Sequence, residues 1–210
     1  MSSPTVFIVD DDAGIRYSLA ALLSASNLPS ECFAGAEEFL RTFDPDRAGC
    51  LVLDVRMPGM DGMQLHQTLG LQKNRMPVIF LTAYGDLDVG IEAMKQGAMD
   101  FLTKPINSAK FMERVHTALE RDRELREVAA ARRSFEKRLS SLTPREWTVL
   151  ELALWGKSSR EISEQLSISK RTVDGHRERI RLKLDVDSLA TLGQMAASTG
   201  VVLKMSAHTP

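Results

Sequence analysis

The sequence predicts a doubly wound α/β domain followed by a small all-helical one, and three observations lead to that prediction. Short runs that are apolar on both faces alternate with amphipathic stretches through roughly the first 121 residues. After residue 142 the periodic stretches all have helical spacing. Formal charge also changes sign: residues 1–122 hold 11 Lys and Arg against 17 Asp and Glu, whereas residues 123–210 hold 16 against 11. A length of 210 residues suits two modest domains.

In the first part, "VFIV" (6–9), "CLVL" (50–53) and "PVIFL" (77–81) are too short for helices and rich in β-branched and aromatic residues. "SECF" (30–33) and "AMDFL" (98–102) are weaker strands of the same kind. Helical patterns fall between them at about 13–26, 35–44, 61–72, 86–97 and 107–121. Five strands alternating with five helices make a parallel sheet covered on both faces. The stretch "DRELREVAAARRSFEKRLSS" (122–141) has no Gly or Pro and is read as a solvated helical linker continuing the fifth helix, with a break near Ser140 and Ser141.

The last part, 142–205, opens on "TPREWTVLELALWG", with Thr143 as cap, Pro144 at the first helical position and Glu146 closing a capping box. Trp147, Leu150 and Leu154 share one face. "SSREISEQL" follows with Ile162 and Leu166 as its apolar pair, then "SKRTVDGHRERIRLKL", capped by Ser169 and burying Val173, Ile180 and Leu184. A fourth helix is expected at about 188–197. Short helices joined by short turns point to a helix-turn-helix unit.

Several function classes recede at this stage. No apolar run approaches the roughly 20 residues of a membrane helix, so no membrane role is expected. No signal peptide is visible in "MSSPTVFIVD", and Cys32 and Cys50 are read as reduced core or near-core residues, so a cytoplasmic setting is the default. "GKSS" (156–159) echoes a phosphate-binding loop but lacks the preceding glycine and strand, and Gly156 is better placed as a helix C-cap. The four histidines have no ligand spacing, and Trp147 and Trp155 are expected in the core.

The chemistry gathers at one sheet edge. Loops at the carboxyl ends of parallel strands build the site of such a fold. There the first strand delivers Asp10, Asp11 and Asp12, the third Asp54, the fourth Thr82 and the fifth Lys104. Adjacent carboxylates repel and need a balancing charge. Asp10, Asp11 and Asp54 as oxygen ligands would suit Mg2+, which would also neutralise a phosphoryl group moving to a carboxylate oxygen. Asp54, alone at its strand end, is the expected nucleophile, with Lys104 pairing with the phosphate and Thr82 donating one hydrogen bond. Residues 170–183 hold six Lys and Arg against two acids, a composition that fits a helix entering a DNA groove.

"IVDDD", "LVLDVRMPGMDG", "IFLTAYGD" and "DFLTKPI" resemble the four motifs of bacterial two-component receiver domains. "LTPREWTVLELALWGKSSREISEQLSISKRTVDGHRERIRLKL" is similar to the LuxR-type DNA-binding module. Their order is that of NarL/FixJ-type response regulators, a resemblance that covers nearly the whole chain. It implies a receiver at 1–121, a linker at 122–141 and a DNA-binding domain at 142–205. Asp54 would accept phosphate from a sensor histidine kinase, and Asp10, Asp11, Asp54 and the backbone carbonyl of Arg56 would hold Mg2+. Thr82 and Phe101 would form the switch, Lys104 would bind the phosphate, and the Lys104–Pro105 bond would be cis. Arg56 and Tyr84 lie where the family tunes dephosphorylation, and Ala83 leaves the site open.

By the same resemblance Asp174, Gly175 and Glu178 face base edges, while Lys170, Arg171, Thr172 and Arg177 are phosphate candidates. Promoter DNA, RNA polymerase and a second copy of the chain on phosphorylation are the implied partners, and turnover catalysis is not implied beyond the receiver's own phosphorylation and dephosphorylation. Two departures stand out: Ser167 occupies a turn position where glycine is usual, and Ser163 one where a small apolar residue is usual. Two rival classes stay open on the residues alone. One is a Mg2+-dependent phosphohydrolase, for which "DVR" supplies Arg56 where a second catalytic acid would be needed. The other is an adaptor whose helical half grips a protein.

Overall fold

The computed structural model describes residues 3–71, 76–83, 91–92, 94–188, 191–192 and 199–201. The chain divides into two compact units, 1–125 and 126–210.

In the first unit five strands form: β1 (Thr5–Val9), β2 (Ser30–Phe33), β3 (Gly49–Asp54), β4 (Val78–Thr82) and β5 (Asp100–Thr103). They pair all-parallel in the order β2-β1-β3-β4-β5. Because side chains alternate along a strand, each central strand supplies both faces. Phe7, Val9, Leu51, Leu53, Val78 and Phe80 enter one core, joined by Phe39 of helix α2 (Ala36–Thr42) and Leu65 and Leu69 of helix α3 (Gly62–Leu71). Val6, Ile8, Cys50, Val52, Ile79 and Leu81 enter the other, joined by Leu19 and Leu23 of helix α1 (Ala13–Ala25) and Phe111, Val115 and Ala118 of helix α4 (Ser108–Ser140). Burying such a side chain stabilises by roughly 1.5–3 kcal/mol, so both faces contribute to the fold.

Half of the helix expected at 86–97 lies outside the described residues, and 91, 92, 94 and 95 are helical. β5 starts two residues later than the apolar pattern predicts: Ala98 and Met99 instead pack from the preceding turn, with the Met99 N–H donating to the Val78 carbonyl at 2.9 Å. Gly49 opens β3 with φ +153°, and a Cβ there would stand 1.9 Å from the Thr5 carbonyl oxygen. Its N–H donates to the carboxylate of Asp122 at 2.9 Å, and Asp122 is only 3 % exposed. A residue assigned to the linker by composition therefore packs against the sheet.

The second unit is built on helices α5 (Pro144–Leu154), α6 (Ser159–Leu166) and α7 (Lys170–Leu184). Thr143 and Ser158 each head a complete capping box, with Glu146 and Glu161 as the reciprocal partners, and Ser169 caps α7. Val149, Leu150, Leu152, Ile162, Val173, Ile180 and Leu184 form the core. Phe135, expected on a solvated linker, is 1 % exposed and belongs to that core. The linker composition hides this because a single aromatic residue is enough to dock one turn of an otherwise charged helix. Two further expectations are corrected. Cys32 is exposed, since β2 is an edge strand with only Phe33 fully buried. Trp155 is 46 % exposed because it ends α5 at the turn leading to Gly156, which has φ +81°. The fourth helix expected at 188–197 lies largely outside the described residues, but Leu192 is buried in the same core.

Candidate functional site

The carboxyl ends of β1, β3, β4 and β5 bring Asp10, Asp54, Thr82 and Lys104 to one edge of the sheet, as the topology requires. Asp10 is fully buried. One of its oxygens accepts the Asp12 N–H at 2.8 Å and the other accepts from Lys104 Nζ at 2.8 Å. Lys104 Nζ also stands 3.1 Å from Asp54 Oδ2. One ammonium thus spans two buried carboxylates.

The three consecutive acids have separate roles. Asp12 is a helix cap: its Oδ1 accepts the N–H groups of Gly14 and Ile15 at 2.7 and 3.3 Å, and a carboxylate at that end is favoured by the α1 dipole. Asp11 is exposed and, with Asp10 and Asp54, places a carboxylate oxygen within 4.8 Å of the others. That arrangement of hard oxygen donors fits a divalent cation. The raised Asp54 pKa fits it too: burial and the charge of Asp10 push it up, against hydrogen bonds from Lys104 and the Arg56 N–H. For Lys104, burial opposes the charged form, but the bonds to Asp10 and Asp54 outweigh it and hold the pKa above the ordinary lysine value.

Arg56 is exposed beside this site. Thr82 is fully buried, and among the described residues its hydroxyl makes only a long 3.4 Å hydrogen bond to the Ala83 carbonyl, while its own carbonyl accepts the Lys104 N–H at 2.7 Å. Phe101 pairs in register with Phe80 and packs half-buried against the first core. The Lys104–Pro105 bond is cis, as expected. Tyr84 lies outside the described residues. Gly62 approaches the site from below: a Cβ there would stand 2.1 Å from the Asp54 carbonyl oxygen. The motif reading missed Arg16, whose guanidinium donates to the Asp10 carbonyl at 2.6 Å. Its only signal in the sequence is its place one turn into α1, below the acids.

In the second unit the residue joining α6 to α7, Ser167, is left-handed at φ 51°, the geometry for which glycine is usual. Val173, Ile180 and Leu184 turn α7 onto the core, leaving Lys170, Arg171, Thr172, Asp174 and Glu178 exposed and Gly175 half-exposed. Much of the positive charge on α7 is already engaged. Arg179 pairs with Glu146 at 3.5 Å, Lys183 with Glu146 at 2.7 Å, and Arg181 with Glu178 at 2.8 Å. Arg177 bonds back to the turn before α6. Lys170 and Arg171, at the N-terminal end, make no ion pair or side-chain hydrogen bond among the described residues. Glu146 is buried, which pushes its pKa up, but hydrogen bonds from Lys183 and Thr143 bring it down to about 2.

A five-stranded parallel sheet with this acid, lysine and threonine edge defines a receiver, joined here to a helix-turn-helix unit. Comparison with known proteins agrees: the family model for the response regulator receiver domain matches residues 6–116, and that for bacterial regulatory proteins of the luxR family matches residues 140–196. The chain belongs to the two-component response regulators of the NarL/FixJ type. It is 40 % identical to the transcriptional regulatory protein TdiR of Thauera aromatica, over 91 % of this chain and 84 % of that one. It is 39 % identical to FixJ of Azorhizobium caulinodans, over 93 % of each. Among solved structures, the response regulator StyR superposes with a TM-score of 0.87 at 39 % identity, covering 93 % of this chain and 99 % of that one. The family pairs a receiver with a DNA-binding domain and implies a role in transcription regulation, with a histidine kinase and DNA as partners. Among the described residues no helix is long and apolar enough to cross a membrane.

Proposed function

We propose that the chain is a phosphorylation-controlled, cytoplasmic transcription factor whose phosphoacceptor is Asp54. The observation that carries this reading is the single ammonium of Lys104, within hydrogen-bond reach of both Asp10 and Asp54 at the mouth of the sheet. Asp54 Oδ attacks the phosphorus of a kinase phosphohistidine; the O–P bond forms as the N–P bond breaks, and the imidazole leaves with that electron pair. A Mg2+ ion held by Asp10, Asp11, Asp54 and the backbone carbonyl of Arg56 would neutralise charge on the transferred group. Lys104 exchanges carboxylate contacts for the phosphoryl oxygens, acting as a point charge. The Thr82 hydroxyl, held by a long 3.4 Å bond, donates to the phosphoryl group, and Phe101 turns inward into the space this vacates.

The receiver surface around the 86–97 segment and β5 then joins two copies. Paired DNA-binding units meet two promoter half-sites, so affinity rises by effective concentration without new base contacts. Lys170, Arg171 and Thr172 contact phosphates, and Asp174, Gly175 and Glu178 face base edges, the acids accepting from cytosine amino groups. RNA polymerase is the downstream partner. The domain limits that fit this reading are a receiver through 121, a linking segment at 122–141 and a DNA-binding domain at 142–205.

Intact-mass spectrometry after incubation with acetyl phosphate and Mg2+ tests the reading. One phosphoryl adduct is expected on wild type and none on Asp54→Asn or without Mg2+. An adduct that persists in Asp54→Asn would show that the nucleophile is another residue. Multiple turnover of a small phosphate ester would revive the phosphohydrolase alternative.

A further inference from the structure

Helix α6, the first helix of the helix-turn-helix, is gripped at both ends by arginines from its two neighbours. From α7, Arg177 donates through Nη2 to the Lys157 carbonyl at 2.9 Å and through Nη1 to the Ser159 hydroxyl at 3.2 Å, at the start of α6. From α5, Arg145 donates through Nη2 to the carbonyl of Leu166, the last residue of α6, at 3.0 Å. These partners lie 18 to 21 residues away in sequence, so the bonds fix tertiary geometry and not a local turn.

The geometry points to Arg177 and Arg145 as positioning residues that set the angle of α6 against α7, and so the seating of α7 on DNA, and not as phosphate ligands. This rests on the DNA-binding reading above. Three observations separate the two roles. Arg177 Nε is buried and has no hydrogen-bond partner among the described residues, so one edge of its fork is closed to any phosphate. Each of its Nη atoms already donates one N–H at the start of α6. The Arg145 guanidinium lies at the C-terminal end of α6, where a cation is favoured by the helix dipole and by the last-turn carbonyls that have no intrahelical partner. By contrast Lys170 and Arg171 are exposed at the start of α7 and, among the described residues, make no ion pair or side-chain hydrogen bond. The planar fork holds its two Nη atoms at a fixed spacing, one on the Lys157 carbonyl and one on the Ser159 hydroxyl, a spacing that the single nitrogen of a lysine does not reproduce.

The test uses full-length protein phosphorylated with acetyl phosphate and Mg2+ and two probes, a DNA duplex of arbitrary sequence and a duplex selected by wild type from a random pool. Trp147 and Trp155 both lie in the second unit, so their fluorescence reports its folding, and binding is read at a temperature where each variant is fully folded. Arg177→Gln and Arg177→Lys are both expected to lose roughly ten-fold in preference for the selected duplex while the slope of log affinity against log salt stays at the wild-type value. Lys170→Gln is expected to lower that slope by about one and keep the preference. If Arg177→Gln lowers the slope by about one and Arg177→Lys restores it, Arg177 is a phosphate ligand and the inference fails. If both folded variants keep wild-type slope and preference, the bonds are structural only and the inference also fails. Should Arg177→Gln not fold, Arg145→Gln is judged by the same two readouts. Wild type binding neither probe would instead overturn the DNA-binding reading itself.

Discussion

Lys104 Nζ lies 3.1 Å from Oδ2 of Asp54 while also bonding Asp10 at 2.8 Å, so the ammonium offsets the mutual repulsion of two carboxylates that are otherwise almost closed to solvent. Replacing it leaves both acids without a cationic partner among the described residues. Lys104→Met is expected to cost on the order of 2–4 kcal/mol in the absence of divalent cations. Because the acids then have only a cation left to balance them, Mg2+ should raise the melting temperature of Lys104→Met more than that of wild type. Calorimetry with and without Mg2+ reads both effects, and equal Mg2+ shifts in the two proteins would contradict the arrangement.

Gly62 stands where a Cβ would meet the Asp54 carbonyl oxygen at 2.1 Å and its carbonyl carbon at 3.0 Å. Backbone at that distance cannot yield as a flexible side chain can. Gly62→Ala should therefore displace the end of β3, destabilise the first unit by roughly 2 kcal/mol or more, and slow labelling by acetyl phosphate. A variant that labels at the wild-type rate would show that the strand end tolerates the shift.

Ser167 holds φ 51° at the end of α6, a conformation that costs an L-residue roughly 1 kcal/mol and glycine almost nothing. Ser167→Gly is expected to stabilise the second unit by about 0.5–1 kcal/mol, seen as a higher denaturant midpoint in tryptophan fluorescence. Among the described residues its side chain makes no hydrogen bond that glycine would forfeit.

The depressed pKa of Glu146 gives the second unit an acid sensitivity of definite sign. Its carboxylate is ionised in the folded state down to about pH 2 but binds a proton near 4.5 when unfolded. The stabilisation is complete above pH 4.5 and is lost as pH falls from there toward 2, a loss on the order of 1–2 kcal/mol after solvent screening. Glu146→Gln should flatten that part of the stability profile while lowering stability at pH 7. Denaturant titrations across pH 3 to 7 followed by tryptophan emission would show it.

Gly175 lies inside α7, and an added Cβ would meet nothing closer than Arg179 Nη1 at 3.8 Å. The fold therefore gives no reason for glycine. Gly175→Ala should raise stability by about 0.5–1 kcal/mol. If the position approaches a base edge, the same change weakens binding to a selected duplex, so stability and affinity should move in opposite directions.

What the sequence alone determined follows from short-range rules. Runs such as "CLVL" and "PVIFL" are apolar on both faces, and only a strand covered on both sides buries them fully. Thr143, Ser158 and Ser169 mark helix starts because each side chain satisfies an N–H within three residues. Strand order then delivers Asp10, Asp54, Thr82 and Lys104 to one edge, since parallel strands share an end. The tertiary structure decided everything that depends on partners distant in sequence. Three neighbouring acids look alike as text, yet one bonds lysine, one is exposed and one caps a helix. Asp122 and Phe135 read as linker until Gly49 and the second core are placed beside them. Arg177 reads as one more cation of a basic helix until the Lys157 carbonyl meets it across 20 residues. Composition and periodicity record what a side chain is and which face it shares, but a hydrogen bond or a buried contact between distant residues exists only once the chain has brought them together.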